Sequence, residues 1–404
     1  MRRGSLSDLF TGVAAKRLTL VETISPRSNQ HEFQGTRQLR RLLGDEERKK
    51  IPTRFIWMSD EQEGLSELGF MSWSNVRKGK PRAPEYHLYY SNNPVTSLMR
   101  EGDFFPLALA SDGSLLVVIT PGETLRNQLV WLFGLDDVHA PEFQFQDVDA
   151  SRAKELDFAA RYILDELGID HDEPEAAALD RLIERFGFVF PSTRVFSELA
   201  RSSLPEVDVL DDPDAALLAW MEREEQLFRR LERRIVSDRI ASGFAEAGSV
   251  DVEGFLSFSL SVHNRRKSRT GHALENHLEA LFLAFGIRHS RGAETENRNR
   301  PDFLFPGGAE YHDPAFARER LAMLGAKSTL KDRWRQVLSE AEKIEKKHLL
   351  TLEPGISENQ TDEMNAKQLQ LVVPRDLHSS YRPRQADWLM NVSDFLAMVR
   401  TLQA

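Results

Sequence analysis

Two short apolar runs, Phe303-Leu304-Phe305 and Met323-Leu324-Gly325-Ala326, each meet a charged residue at one end, Asp302 before the first and Lys327 after the second. Runs this short and this apolar read as buried strands, and α/β folds put their chemistry at the charged ends of such strands. Residues 369–373 read as a further buried strand and residues 332–347 as a helix, which gives an α/β core. Within that helix Glu340 lies between Val337 and Ile344, and helical spacing brings it to the edge of the buried face. The plainer reading of Glu340 is a solvated partner of Lys343.

Asp302, Glu340 and Lys327 together supply two carboxylates and one ammonium. Carboxylates hold Mg²⁺ through hard oxygen ligands, and an ammonium beside them orients a water and offsets charge on a phosphate. Just past the lysine comes Lys331-Asp332-Arg333-Trp334-Arg335, dense in side chains able to read guanine and cytosine edges. Metal-binding and base-reading groups so close in sequence point to an enzyme that cuts DNA at a chosen site. Trp334 could stack on a base, but its spacing with Val337 and Leu338 makes it a core residue. Glu275 is a further candidate, against the plainer reading of a surface helix glutamate. His312 has no partner at ligand spacing and reads as a loop residue.

The densest basic segment is His263-Asn264-Arg265-Arg266-Lys267-Ser268-Arg269-Thr270-Gly271-His272. It reads as a loop ahead of a helix over 274–285, and Arg265, Arg266, Lys267 and Arg269 suit contacts to phosphates. A second basic loop, Arg77-Lys78-Gly79-Lys80-Pro81-Arg82, stands near Trp73, Tyr86 and His87. It suits DNA contact and an ordinary exposed hairpin equally well. The formal net charge of −10 does not oppose nucleic acid, because the deficit is local. Residues 1–145 are net zero, residues 146–214 net −11 and residues 215–404 net +1. Screening over about 8 Å at physiological salt lets local basic patches on the flanks govern contact.

A chain of 404 residues exceeds one ordinary core, and its pattern divides three ways. Residues 1–145 form a β domain with strands at 54–57, 69–73, 86–90, 104–108 and 114–119, spaced as in a compact barrel. Residues 146–187 form an acidic helical linker, with helices over 151–168 and 176–186. Residues 188–404 hold the candidate site, with helices over 214–236 and 392–401. The absence of cysteine excludes disulfides and thiolate metal sites, and the start lacks the apolar block of a signal peptide. With no stretch apolar enough to span a bilayer, the expectation is a cytoplasmic protein with no membrane contact.

From about residue 191 onward the chain resembles the catalytic domain of EcoRII-type restriction endonucleases. The resemblance rests on residues 261–269, on Arg300-Pro301-Asp302-Phe303-Leu304-Phe305-Pro306, on Ala309-Glu310-Tyr311-His312-Asp313, on Lys331-Asp332-Arg333-Trp334-Arg335-Gln336 and on Leu371-Val372-Val373-Pro374. It implies a restriction-endonuclease fold in which the second acidic residue is displaced onto the helix, so that Gly325 and Ala326 stand where one is usual. It implies that Asp302 and Glu340 bind Mg²⁺, that Lys327 positions the attacking water, and that Glu275 and Tyr311 occupy matching catalytic positions. Lys331, Asp332 and Arg333 match the segment that reads C·G pairs of a CCWGG target with extruded central bases, and Trp220 is an available stacking surface for such a base. Ser28-Asn29-Gln30-His31-Glu32-Phe33 and the loop at 77–82 resemble the family's N-terminal effector domain, a β-barrel of the plant B3 type, which covers the cleft until DNA engages it. The implied partners are double-stranded DNA, a second copy of the chain and a cognate DNA methyltransferase. Two other readings remain open: a DNA-binding regulator with an inactive nuclease core, and a nuclease for modified DNA.

Overall fold

Among the described residues, β-branched, aromatic and leucine-rich runs in the first part of the chain form eight strands: β1 (Phe10–Arg17), β2 (Glu32–Gln34), β3 (Arg48–Trp57), β4 (Leu65–Asn75), β5 (Tyr86–Tyr90), β6 (Phe104–Ala110), β7 (Leu115–Ile119) and β8 (Gln144–Asp147). The computed structural model describes residues 5–23, 31–62, 64–136, 141–148, 156–169, 176–246, 249–331 and 333–404. It divides into two units, Met1–Asp172 with Pro354–Ser357, and Glu173–Glu353 with Glu358–Ala404.

In the first unit one sheet runs in the order β2-β5-β4-β3-β7-β6-β1-β8, antiparallel throughout except for β3 with β7. Strand β3 shows the underlying period of two, with Ile51, Thr53 and Phe55 buried while Lys50 and Pro52 face solvent. One face is covered by the helices Glu123–Phe133 and Phe158–Glu166, whose Leu129, Leu132, Ile163 and Leu164 join Val13, Ile56, Phe104 and Val118 in a single core. The other face curls on itself. Phe33 of edge strand β2 lies 4.7 Å from Phe105 and 6.1 Å from Phe143, next to the opposite edge strand β8. Among the described residues β2 and β8 are not paired, so the hydrogen-bonded order stays open. All five expected strands form, β3 and β4 longer than the apolar runs indicated. Of the helix expected over 151–168, Phe158–Glu166 forms, capped by Asp157; residues 151–155 and Ser28-Asn29-Gln30 lie outside the described residues.

The second unit is built on two long helices and a mixed sheet. Pro213 opens the helix Pro213–Ser242, and Asp212 caps it by accepting the Ala215 N–H. The short pair β9 (Ala245–Glu246) and β10 (Ser249–Val250) leads into the 33-residue helix Val252–Ala284. The basic run at 263–272 is therefore helix and not loop. Much of this stretch is exposed, so no apolar period marks it in sequence; cross-helix ion pairs hold it, Arg266 to Glu232 and Arg269 to Glu225.

The sheet runs β11 (Ser290–Arg291), β12 (Phe303–Phe305), β13 (Ala322–Lys327), β14 (Lys347–Thr351) and β15 (Leu369–Val372), side by side in that order. Neighbours β11, β12 and β13 are antiparallel, and β13, β14 and β15 are parallel. The helix expected over 332–347 does not form. Only Trp334–Val337 is helical, Ala341 takes a left-handed φ of 48°, and β14 begins at Lys347. A short helix is marginal on its own, and here the backbone of 339–343 is drawn into bonds with other segments. Trp334 and Val337 are fully buried, as their spacing indicated. Among the described residues no helix is long and apolar enough to cross a membrane.

Candidate active site

Asp302 stands one residue before β12, and the β12–β13 register pairs Phe303 with Leu324. That register brings Asp302 to the C-terminal end of β13. Its Oδ2 accepts the backbone N–H of Ala326 at 2.7 Å and the Lys327 ammonium at 2.8 Å. Both side chains are partly exposed, about a fifth for Lys327 and less for Asp302, so the pair opens to solvent. The two strand-end charges singled out from the sequence thus meet.

Glu340 completes the group from the turn after the Trp334–Val337 helix, not from within a helix. Burial, and then the nearby Asp302 charge, push its carboxyl up to about 7, with Lys327 and Lys347 acting in the opposite direction. Its Oε2 is buried without a hydrogen-bond partner. The Lys343 ammonium, the partner offered by the plainer reading, instead donates to the Tyr311 carbonyl at 2.7 Å. β13 carries no side chain at Gly325, where a Cβ would meet Val337 Cγ2 at 3.0 Å, and the Glu340 carboxylate comes from the turn beyond.

An orphaned carboxylate oxygen beside a second carboxylate fits a hard divalent cation, which completes its shell with water when only one or two carboxylates are offered. Among the described residues no group of three or more His, Asp and Glu side chains gathers as a metal cage, so any such ion rests on this pair. A carboxyl raised above its unfolded value keeps its full contribution to stability below about pH 4.5 and loses it as pH rises through about 7. Without divalent ions, Glu340→Gln should therefore melt higher than the parent at pH 8 and show little difference at pH 4. Equal melting shifts at both pH values would contradict the assignment.

Tyr311 is fully buried. Its hydroxyl donates to Glu296 Oε2 at 2.5 Å and accepts the Lys343 N–H at 3.3 Å, and burial raises its phenol above the ordinary value. Glu275 Oε2 is held by Arg291, with Nη2 at 2.5 Å and Nε at 3.1 Å, while Arg291 Nη1 also reaches Asn276 Oδ1 at 2.9 Å. Since Arg291 pairs with Phe303 across β11 and β12, Glu275 is tied to the strand that follows Asp302. Arg291 and Glu296 had no mark in the sequence; no spacing distinguished them from other charged residues.

Of the base-reading candidates, Arg333 is exposed at the start of the Trp334–Val337 helix and Lys331 adopts a left-handed φ of 37°, while Asp332 lies outside the described residues. Arg265 stacks 4.4 Å over Phe190, Arg266 is largely exposed while bound to Glu232, and Lys267 follows them on the helix. Arg269 differs: it is 6% exposed, packs 4.1 Å over Phe228 and pairs with Glu225, so it fastens the two long helices together. Trp220 corrects an expectation. It is only 7% exposed, with its ring 5.7 Å from buried His277, and offers no open stacking surface. His312 Nε2 bonds the Glu294 carbonyl, consistent with a local structural role. In the first unit, the loop at 77–82 joins β4 to β5; Arg77 pairs with Glu85 and Lys78 with Glu47, while Lys80 and Arg82 are exposed. Trp73 and Tyr86 stack 4.9 Å apart in the core below.

An aspartate and a lysine thus stand at adjoining strand ends of one mixed sheet, with a partly buried glutamate whose carboxyl feels the Asp302 charge. Residues 228–396 match the family model described as EcoRII C terminal. Over 194 residues the chain is 46% identical to the type II restriction enzyme EcoRII of Escherichia coli, a match covering 48% of this chain and 47% of that protein. The chain thus spans about half the length of the curated relative it matches. The resemblance read from the sequence is borne out over this region. Solved structures that are similar include the restriction endonuclease PspGI with substrate DNA, at 15% identity and a TM-score of 0.44 over 53% of this chain and 93% of that one. Metal-depleted Ecl18kI in complex with uncleaved, modified DNA is similar at 19% identity and a TM-score of 0.43, over 57% of this chain and 85% of that one.

Proposed function

We propose that this protein is a Mg²⁺-dependent type II restriction endonuclease that makes double-strand cuts at a short palindrome-like site of the CCWGG kind. The observation that carries the reading is the meeting of Asp302, Lys327 and Glu340 at one end of a mixed sheet, inside the region that matches the EcoRII C-terminal family. Asp302 and Glu340 would hold the metal, which when bound lowers the pKa of a water and offsets charge on the phosphate. The chain's own groups do the rest. The Ala326 N–H and the Lys327 ammonium fix Asp302 Oδ2 in one orientation. The same ammonium aligns a water for in-line attack on phosphorus and shields the charge that develops on the phosphate oxygens.

Lys331, Asp332 and Arg333 follow directly and are assigned to base edges. Arg and Lys donate to guanine O6 and N7, and a carboxylate accepts from cytosine N4. Arg265, Arg266 and Lys267 are assigned to phosphates. A duplex palindrome calls for two symmetric sites, hence a homodimer. The first unit is assigned as a B3-type DNA-binding domain, using Arg77, Lys78, Lys80 and Arg82, that restrains cleavage until DNA engages it. A cytoplasmic location and a partner DNA methyltransferase accompany this reading, since host sites need protection. Incubation of a supercoiled plasmid containing CCWGG with and without Mg²⁺ tests it. Linear product only with Mg²⁺ is expected; an intact plasmid under both conditions, with DNA still bound, would favour a regulator with an inactive core.

A further inference from the structure

Glu340 has no regular element to hold it, yet its place relative to Asp302 decides whether two carboxylates can share one ion. The residues on either side of it are gripped by a single segment. Asn299 Nδ2 donates to the Ser339 carbonyl at 2.8 Å, and Asn297 Nδ2 donates to Glu342 Oε1 at 3.0 Å. Glu296 Oε2 accepts the Glu342 N–H at 3.2 Å and the Tyr311 hydroxyl at 2.5 Å. The Tyr311 oxygen accepts the Lys343 N–H at 3.3 Å, so both amides just beyond Ala341 end on this pair.

The gripping segment is itself fixed. Asn297 and Arg298 are consecutive left-handed residues with φ of 58° and 61°, a conformation that asparagine tolerates but that is uncommon for arginine and for two residues in succession. The Thr295 N–H and hydroxyl close the turn on the Asn299 carbonyl at 2.8 and 3.2 Å. Beyond Asn299 come only Arg300 and Pro301 before Asp302. The chain leading into one carboxylate therefore clasps the chain flanking the other.

We propose that Glu296 is a positioning residue that sets Glu340 against Asp302, and that Tyr311 acts through Glu296 and not on the substrate. This rests on the reading of Glu340 as a metal-holding carboxylate. The Tyr311 hydroxyl donates to Glu296 and accepts from the Lys343 amide, and its ring is enclosed. Such a group supports the turn and is not poised as a nucleophile. Groups that orient a metal-holding residue typically change metal affinity by about 10–100-fold when removed.

The test compares Glu296→Ala, Glu296→Gln and Tyr311→Phe in the full chain. For Glu296→Ala, half-saturating Mg²⁺ for cleavage should rise at least about 10-fold. DNA binding in EDTA should be unchanged, and the amides of Glu342 and Lys343 should exchange faster in the metal-free protein. Glu296→Gln keeps an acceptor oxygen and should recover most of both readouts, while Tyr311→Phe should expose the Lys343 amide and still cleave at saturating Mg²⁺. If Glu296→Ala does not fold, the other two variants carry the comparison. Unchanged Mg²⁺ dependence and exchange in the folded Glu296 variants would overturn the proposal. So would complete loss of cleavage at every Mg²⁺ concentration in Tyr311→Phe with its amides still protected. Normal cleavage by Glu340→Ala would instead remove the premise, and the exchange readout would separate that failure from a failure of the clasp.

Discussion

Lys327→Ala is expected to lower cleavage by at least about 10²-fold, in the range found when one donor that stabilises transition-state charge is removed. DNA binding should stay near that of the parent. The ammonium binds Asp302 Oδ2 at 2.8 Å and is partly exposed, so its removal takes away the charge proposed to face the reacting phosphate without opening a core cavity. Asp302→Ala should abolish cleavage, and in the absence of metal it should not weaken DNA binding. A carboxylate close to a phosphate repels it, so metal-free Asp302→Ala should bind DNA as tightly as the parent or more tightly. Gel-shift affinity in EDTA beside cleavage rates in Mg²⁺ separates the two effects. Near-normal turnover in either variant would place the reacting groups elsewhere.

Arg333→Ala is expected to cost about 1–3 kcal/mol of discrimination at a C·G pair of the target, the usual loss for one base-edge contact. Arg333 is exposed at the first turn after Lys331, where it can reach DNA without disturbing buried Trp334. Arg265→Ala is the contrasting variant. Its guanidinium stacks on Phe190 and is exposed, so its loss should weaken binding to all sequences and lessen the salt dependence. Arg266 is less clean as a phosphate probe, because removing it leaves Glu232, whose side chain is 3% exposed, without that partner. Competition binding against single-base variants of the site reads the difference. An Arg333 variant with unchanged sequence preference would sink the assignment of this segment.

Asp302 and Lys327 were legible in the sequence because each abuts a short apolar run of the kind that buried strands carry, and the antiparallel register then brings the run ends together. Glu340 was found for a reason that the structure does not share. The spacing of Val337 and Ile344 indicated a helix, and both are buried, yet the chain between them turns at Ala341. Backbone bonds to Asn299, Glu296 and Tyr311 outweigh local helical preference there, and such tertiary partners leave no trace in a periodicity. The basic run at 263–272 was hidden for the converse reason. A helix solvated on most sides has no apolar stripe, so the ion pairs to Glu225 and Glu232 that hold it could not be read from spacing. Glu296 is one of 63 acidic residues, and only the fold distinguishes it from the others.

The most direct measurement is nucleotide-level sequencing of the DNA ends left when a plasmid of known sequence is digested with Mg²⁺ by the parent chain and by Asp302→Ala. The account predicts ends confined to CCWGG-like sites in the parent digest and none above background with Asp302→Ala. Ends scattered without sequence preference, or the same ends from the Asp302 variant, would contradict it.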